Sequence, residues 1–452
     1  MYAPHTDADV RAMLDVIGAP SLEALSAPPQ GLEIRERLSL APAMAQADAY
    51  SHIRALAADN TASSLPCFIG AGAYRHYIPP AVPSLATRAE FLTAYTPYQA
   101  EASQGSLQAI YEWQTYMCLL NGLDVSNASV YDGATALVEG VIMAAGATGR
   151  RRVAISRAVH PQYRAVLDTY ASGMGLTVDH LATDESGLTS LPQRLESGDN
   201  ALAAAIVQSP NFFGCIENVS SWSKLAKDSG ALCIQVVAEA LSLGVLKSPG
   251  ESGVDIAVGE AQSLGLPLGY GGPYVGFVAA TKEHVRRMPG RLVGETTDID
   301  GRRAYVLTLQ GREQHIRREL ATSNICTNQA LCALMATVYL ATVGAKGLRA
   351  IAVANLSRAR ELAAALCAID GVALGSDAAY FNEFVVELPV LAADVAARLA
   401  RRGILAGLPL SRFYPDRPHA LLVCATETVS RADIDRLTAA LGEEVRRAVA
   451  AV

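Results

Sequence analysis

Apolar and polar positions follow two alternating patterns along the middle of the chain. Continuous apolar runs, typical of strands buried on both faces, alternate with segments whose apolar residues recur at helical spacing. The strand-like runs are 153–155, 202–207, 232–237, 254–258 and 274–279, and the helical segments are 103–120, 134–145, 160–170 and 222–227. This alternation predicts an α/β domain whose parallel sheet is covered by helices on both faces.

The two ends of the chain follow other patterns. A capped amphipathic helix over 10–17 and a second helix over 45–58 are separated by prolines. Beyond Thr327, helical segments 329–343 and 347–369 precede apolar runs at 372–374, 383–388 and 420–424 and helices over 392–402 and from Arg431. We therefore expect an N-terminal helical arm or cap (1–90), a large α/β domain (91–326) and a smaller C-terminal α+β domain (327–452).

Composition narrows the class of protein. With 51% hydrophobic and 18% charged residues, the chain predicts extensive burial and an oligomer. The net charge of −7 and the lack of a basic block argue against nucleic acid or an anionic membrane as partner.

The N-terminus lacks a signal-peptide profile and no segment has the apolar length of a membrane span, which predicts a cytoplasmic protein. Neither the cysteines nor the histidines have metal-ligand spacing, so no metal is expected.

Three features, taken in chain order, suggest a cofactor pocket. Gly133 and Thr135 open a helix, where unpaired N–H groups favour an anion such as a phosphate, although a capped helix start explains the same residues. Glu239 follows the run 232–237, at the strand end where open α/β sheets bind ligands. A glycine-rich loop then lies within 258–277. This order is similar to that of pyridoxal-phosphate enzymes of the aspartate-aminotransferase fold (fold type I), whose acid pairs with the pyridine nitrogen and whose loop lysine forms a Schiff base.

The loop contains no lysine. The chain has only Lys224, Lys227, Lys247, Lys282 and Lys346, and Gln262 stands where the Schiff-base lysine is expected. An amide cannot form an imine. Two alternatives stay open: an autonomous pyridoxal-phosphate enzyme, related to transaminases or desulfurases, that uses Lys247, and a non-catalytic scaffold.

Motifs spread over the whole chain resemble the glycine cleavage system P-protein, glycine decarboxylase. They are FIGAGAYRHYI at 68–78, AYTPYQ at 94–99, NASVYDGATA at 127–136, PGESGVDIAVGE at 249–260, REQHIRRE at 312–319 and SNICTN at 323–328. The length resembles that of the N-terminal, or α, subunit of the form split into two polypeptides. In that family only the β subunit carries the Schiff-base lysine, and Gln262 falls on its position.

The resemblance implies a non-Schiff-base subunit. Pyridoxal phosphate is expected in the partner, P-protein subunit 2 (β), with none covalently bound to this chain. The pair would decarboxylate glycine and pass the aminomethyl group to the lipoyl arm of H-protein, in an assembly of two αβ units. The sequence departs from the family pattern at Leu320, where lysine is expected, and at Glu239, where aspartate is more frequent.

Two groups of candidate site residues follow. Cleft candidates are Tyr95, Tyr98 and Gln99 in a stiff polar turn, together with Tyr131 and His160. Alternatively, the two tyrosines Tyr95 and Tyr98 pack at a buried interface, and His160 is a structural histidine whose hydrogen bonds are made within the protein. Gly133, Thr135, Glu239 and Gln262 would form a vestigial cofactor pocket.

Two further stretches are ambiguous. The glycine-rich turn at 70–76 is either a part of the cleft or a close backbone contact between lobes. The charged cluster Arg312, His315, Arg317 and Arg318 indicates an exposed helix face or an ion-pair surface at an interface.

Overall fold

The computed structural model describes residues 4–29, 31–32, 39–195, 198 and 201–450. It divides into two compact units, Met1–Ser64 and Leu65–Val452. The first contains α1 (Asp7–Ile17), α2 (Leu22–Ser26) and α3 (Gln46–Ala58). Helix α1 begins at Thr6, which exchanges hydrogen bonds with Asp9, and ends at a left-handed Gly18. The helices expected over 10–17 and 45–58 are thus confirmed, and the region boundaries at 90 and 326 stay predictions.

The second unit contains a seven-stranded sheet. After α4 (Ala81–Ala86), α5 (Ala89–Leu92) and α6 (Gln104–Asn121), its strands are β1 (Val125–Ser126), β2 (Arg152–Ser156), β3 (Thr177–Leu181), β4 (Ala204–Gln208), β5 (Leu232–Val237), β6 (Ile256–Glu260) and β7 (Gly276–Ala280). The order is β1-β7-β6-β5-β4-β2-β3, and the five strands from β6 to β3 are parallel. Strand β7 is antiparallel to β6 and to the edge strand β1, so the expected parallel sheet contains one antiparallel strand, next to its edge.

Helices cover both faces of this sheet, as expected. Helices α7 (Gly133–Thr148) and α8 (Pro161–Met174) pack with Val153 and Ile155 of β2 in one apolar cluster. Helix α9 (Val219–Asp228) packs through Trp222 with Ala154, which points to the opposite face. Helices α7 and α8 therefore lie on the same face. Both begin at the carboxyl ends of the parallel strands: α8 follows β2, and the residues before α7 lie beside the end of β6, since Gly276 pairs with both Val130 and Glu260.

A hairpin and a long helix follow. Strands β8 (Leu292–Thr297) and β9 (Arg303–Thr308) pair antiparallel, and α10 (Gln314–Arg317) is a single turn. Helix α11 (Ala330–Cys367) is broken at Gly344, where φ is 61°, so its halves match the two helices expected over 329–343 and 347–369. It is the one helix in the described ranges with the length and apolar composition to cross a membrane, and Tyr339 and Leu362 within it are core residues.

The C-terminal part is an antiparallel sheet covered by helices. Its strands are β10 (Ala373–Leu374), β11 (Glu383–Glu387), β12 (Leu408–Pro409) and β13 (Ala420–Cys424), in the order β10-β11-β13-β12. Helices α12 (Ala392–Arg401) and α13 (Arg431–Val449) pack against it. The expected α+β character of this region is confirmed.

Candidate functional site

Four of the residues named from the sequence converge at the carboxyl ends of the parallel strands. Gly133 begins α7, His160 precedes α8, Glu239 follows β5 and Gln262 follows β6. Glu239 and Gln262 are 2% and 1% exposed. A stretch that we call the inner segment, residues 70–77, runs among them and contacts His160, Glu239 and Gln262. The glycine-rich turn therefore lies among these residues, and its Ala71 N–H also contacts Glu383 of β11.

Groups of the chain itself bond the N–H groups of Gly133 and Thr135 at the start of α7. Asp132 and Thr135 form a reciprocal cap, in which the Thr135 N–H donates to Asp132 Oδ1 at 2.8 Å and the Asp132 N–H donates to Thr135 Oγ1 at 3.1 Å. The Gly133 N–H donates to Glu260 Oε2 at 3.0 Å. The Tyr163 hydroxyl packs directly against Gly133, in the space that a Cβ would fill. The position that favours an anion thus holds the chain's own carboxyl group.

Glu260 is tied to three backbone N–H groups. Besides that of Gly133, it accepts those of Val275 at 2.9 Å and Gln262 at 3.1 Å. Burial raises the pKa of this carboxyl to about 7, against the opposing effect of these hydrogen bonds. The carboxyl group therefore fixes the start of α7, the end of β6 and the start of β7 to one another.

The Gln262 amide is fully engaged inside the protein. Its Oε1 accepts the Tyr74 N–H at 2.8 Å, and its Nε2 donates to the carbonyl oxygens of Tyr74 at 3.0 Å and Leu266 at 2.8 Å. The side chain must both donate and accept to make these bonds. A lysine ammonium only donates, so it could not replace this amide in the same geometry.

An ion-pair relay links Glu239 to the inner segment. His76 lies between Glu239 and Glu427, with Nε2 to Glu239 Oε2 at 3.2 Å and Nδ1 to Glu427 Oε2 at 2.8 Å. Burial alone would lower the pKa of His76, but the Glu239 carboxylate, with Glu427, raises it to about 9. His76 is therefore an imidazolium at neutral pH. Asn382 and the Leu241 N–H complete the hydrogen bonds of Glu239.

His160 packs on the inner segment from the other side. Its Nε2 lies 2.8 Å from the Ala71 carbonyl oxygen, and a Cβ on Gly72 would lie only 2.8 Å from its ring. Burial lowers the pKa of His160 to about 4, so the ring is neutral. The rings of Tyr163 and Phe212, with centroids at 4.7 Å and 5.0 Å, cover the rest of His160.

The residues of this pocket do not fit pyridoxal phosphate. The cofactor needs free N–H groups for its phosphate, an acid for its pyridine nitrogen and an amine for its Schiff base. Here Gly133 bonds Glu260, Glu239 bonds His76, and Gln262 is an amide bonded to Tyr74. No step of a reaction can be assigned to a cofactor held in this chain's own pocket.

A second site lies on the far side of α7. A cavity of about 670 Å³ is lined by Tyr131, Glu139, Ser323 and Asn324, among others. Glu139 Oε1 accepts the Ser323 hydroxyl at 3.0 Å, whereas Oε2 is buried without a hydrogen-bond partner among the described residues. Burial raises the pKa of Glu139 to about 7. Glu139 was not foreseen; its signal in the sequence is a lone carboxyl group in an otherwise apolar helix.

The unpartnered polar atoms continue beyond this cavity. Arg312 Nε and Nη2 and Glu313 Oε1 are buried and have no partner in the part of the chain that the structure describes. Arg312 lines an adjacent cavity of about 350 Å³ with Arg317 and Leu320, and Leu320 is 73% exposed. We call residues 309–325, with Tyr131 and Glu139, the outer face.

The remaining cleft candidates lie on the surface. Tyr95 and Tyr98 are 67% and 77% exposed, and Gln99 is exposed as well. Tyr95 borders a narrow groove whose walls include Leu92 and Leu331. The five cleft candidates are therefore distributed over three places: Tyr131 on the outer face, His160 against the inner segment, and the other three on this exposed turn.

Known proteins match the whole chain. The family model for the glycine cleavage system P-protein matches residues 1–441. A protein of Moorella thermoacetica named probable glycine dehydrogenase (decarboxylating) subunit 1 is 49% identical over 441 residues, covering 97% of this chain and 98% of its own length. A protein of Anaeromyxobacter dehalogenans with the same name is 49% identical over 430 residues, covering 94% and 96%.

Solved structures agree on the fold and the family. An inhibitor-bound crystal structure of glycine decarboxylase (P-protein) of the glycine cleavage system superposes with a TM-score of 0.89 at 45% identity, covering 98% of this chain and 99% of its own. A NifS-like protein, 14% identical, has a TM-score of 0.63 over 84% of this chain and 99% of its own, and shares the fold alone. The expected fold type I of pyridoxal-phosphate enzymes is confirmed. So is the resemblance carried by the motifs, and the chain belongs to the glycine cleavage system P-protein family.

Proposed function

We propose that this chain is the non-Schiff-base subunit of a two-subunit glycine decarboxylase and is active only with its partner. The observation that carries the proposal is Gln262, whose amide replaces the reactive amine in a chain that matches proteins named subunit 1 over their full length. Pyridoxal phosphate is held by the lysine-bearing subunit 2, where it supplies the electron sink for loss of CO2 from glycine. The aminomethyl group then passes to the lipoyl arm of H-protein.

The outer face is the surface that we assign to the partner. Leaving a buried polar atom unpaired costs about 1–3 kcal/mol, and a second chain that supplies the missing partners recovers that cost on binding. The Nε and Nη2 of Arg312 could donate to an acceptor such as a carboxylate of the partner. Glu139 Oε2, which has no hydrogen-bond partner among the described residues, could pair with a polar group of the partner. The exposed Ile316 and Leu320 add apolar area to the same surface.

Tyr95, Tyr98, Gln99 and Tyr131 are the side chains that we propose reach the partner's cleft. Exposed tyrosines offer a large apolar ring and a hydroxyl at one position, which suits contact with a polar active site. Assembly of two αβ units and a cytoplasmic location complete the proposal. The eight cysteines, all free thiols in the structure, are compatible with a reducing compartment.

The test is reconstitution. The chain would be co-purified with a candidate subunit 2, and exchange of labelled CO2 into glycine would be measured for each chain alone and for the pair, with lipoylated H-protein. We expect exchange only from the pair. Exchange catalysed by this chain alone, with added pyridoxal phosphate, would refute the proposal.

Conservative substitutions separate a contributing subunit from a scaffold. Tyr95→Phe and Tyr98→Phe should lower the kcat of the reconstituted pair while leaving its assembly intact, with Tyr50→Phe on α3 as the matched control. Unchanged turnover in both variants, with normal assembly, would favour the scaffold.

The autonomous alternative rests on Lys247, and the structure offers it little support. Lys247 is exposed, and its ammonium donates to Ser220 Oγ at 3.3 Å at the edge of a separate cavity. Lys247→Ala should leave the exchange activity of the pair unchanged. Loss of activity in that variant would revive the alternative.

A further inference from the structure

The inner segment and Glu260 fill, with the chain's own groups, the places beside Glu239 and Gly133 where a pyridoxal-phosphate pocket holds its cofactor. In a working pocket an acid faces a pyridinium nitrogen. In this chain Glu239, the acid at that strand end, faces the Nε2 of the His76 ring at 3.2 Å. A planar, nitrogen-bearing cation therefore occupies the partner position of the acid.

The anion position is filled in the same way. A working pocket places a phosphate at the N-terminus of the helix that follows the glycine, because unpaired N–H groups and the helix dipole favour negative charge. Glu260 Oε2 accepts the Gly133 N–H at 3.0 Å at this position. The Tyr163 hydroxyl fills the remaining space beside Gly133.

Five hydrogen bonds hold the backbone and Tyr74 of the inner segment in place. Gln262 exchanges two hydrogen bonds with the backbone of Tyr74, and the Ala71 carbonyl oxygen lies 2.8 Å from His160 Nε2. Glu383 accepts the Ala71 N–H at 2.6 Å and the Tyr74 hydroxyl at 2.7 Å. These contacts come from the residues after β6, from β11 and from the start of α8, so the segment is anchored beside both the seven-stranded and the four-stranded sheet.

We propose that the inner segment is a built-in replacement for the cofactor, with His76 in the place of the pyridine ring, Glu260 in the place of the phosphate and Gln262 as the anchor. The chain's own side chains then fill the pocket, and the lack of the lysine is only one of several differences from a pocket that binds the cofactor. Restoring an amine at position 262 does not restore cofactor binding. The proposal concerns this chain's own pocket and goes beyond the assignment of pyridoxal phosphate to the partner.

Cofactor titration of the isolated full chain tests the proposal directly. Pyridoxal phosphate would be titrated to millimolar concentration, followed by ultrafiltration and absorbance. We expect no saturable binding. One equivalent bound per chain would overturn the proposal, and this outcome is independent of the exchange activity of the reconstituted pair.

The Gln262→Lys variant sharpens the test. After incubation with pyridoxal phosphate and reduction with borohydride, peptide mapping would measure the adduct at position 262, with Gln310→Lys, at an exposed position, as the control for non-specific modification. We expect no more adduct at 262 than at 310. A stoichiometric adduct at 262 alone would overturn the proposal; the titration of the unmodified chain decides it where the variant does not fold.

Hydrogen exchange tests the anchor itself. Gln262→Met keeps the length of the side chain but removes its amide, and so removes the acceptor of the Tyr74 N–H. Exchange of that amide should accelerate by at least about tenfold, since the variant loses both hydrogen bonds between Gln262 and the Tyr74 backbone. Unchanged protection across residues 70–77 would show that Gln262 does not hold the segment.

Discussion

The inner pocket and the outer face are built on the same helix, α7, and differ in how their polar groups are satisfied. In the pocket, both carboxylate oxygens of Glu239 and of Glu260 accept hydrogen bonds from the chain itself. On the outer face, Glu139, Arg312 and Glu313 keep buried atoms without partners among the described residues. A network in which every polar group is hydrogen-bonded stabilises the fold. Buried groups without partners can instead gain hydrogen bonds when another molecule binds.

The largest expected effect comes from breaking the pocket's ion pairs. His76→Gln leaves the buried carboxylate of Glu239 and the half-buried carboxylate of Glu427 without a cation, which should lower the free energy of unfolding by about 3–5 kcal/mol. Denaturant titration measures this loss. The control is His419→Gln, at an exposed histidine, where the change should stay within about 0.5 kcal/mol. Equal effects in the two variants would show that the relay contributes nothing.

The same relay predicts how stability depends on pH. The folded pKa of His76, about 9, is raised above the ordinary value of 6.5, so its stabilisation is fully present below pH 6.5 and is lost as pH rises through 9. The shift corresponds to about 3 kcal/mol in the free energy of unfolding. Burial raises the pKa of the Glu260 and Glu383 carboxyls only to about 7, so they titrate mostly below this window.

Between about pH 7.5 and 9.5 the histidine is isolated by the difference between the unmodified chain and His76→Gln, because buried thiols such as Cys118 and Cys332, whose pKa burial raises to about 11, lower the stability of both proteins near the top of this range. The free energy of unfolding should fall more steeply with pH in the unmodified chain than in His76→Gln. Equal slopes in the two proteins would contradict the raised pKa of His76.

A smaller effect is expected on the outer face. Arg312→Leu removes a half-buried guanidinium whose buried Nε and Nη2 have no acceptor among the described residues, and should weaken the affinity for subunit 2 by about tenfold. Isothermal titration or analytical ultracentrifugation measures the Kd. Arg431→Leu is the matched control, since Arg431 is paired and exposed in the small domain. Equal loss of affinity in both would remove the distinction between the two regions.

The smallest effect is expected at Leu320. Leu320→Lys introduces the family's expected charge at a 73% exposed position, and the free energy of unfolding should change by no more than about 0.5 kcal/mol. Its effect should be confined to the rate of association with subunit 2, and should diminish as salt is added. A change in affinity that persists at high salt would mean that Leu320 itself packs against the partner.

Most of the fold could be predicted from the sequence because buried strands and capped helices leave local signals. The strands β5 and β13 begin and end at the residues expected from their apolar runs. The half-exposed edge strand β3 and the hairpin of β8 and β9 were missed, since none of them has a continuous apolar run: β3 and β9 are mostly exposed or partly buried, and only the first two residues of β8 are buried. Gly344 divides α11 where the sequence pattern had placed two helices.

The site was only partly predictable. The missing lysine at Gln262 is a local fact, and together with the motifs that resemble the family it led to the proposal of a subunit without a Schiff base. The contacts that fill the pocket are not local: His76 and Glu427 are 351 residues apart in the chain, and Ala71 and Glu383 are 312 apart. Nothing in the motif at 68–78 indicates which distant carboxyl groups it will meet.

The sequence by itself determined the family's fold and the absence of an amine in the glycine-rich loop, because both depend on residue types at fixed positions. Only the tertiary structure decided which groups occupy the pocket. A buried carboxyl group is available to bind a ligand only if no other group of the chain lies within about 3 Å of it. The packing of segments distant in the sequence determines which group lies there. In this chain the neighbours are its own His76, Gly133 and Tyr74.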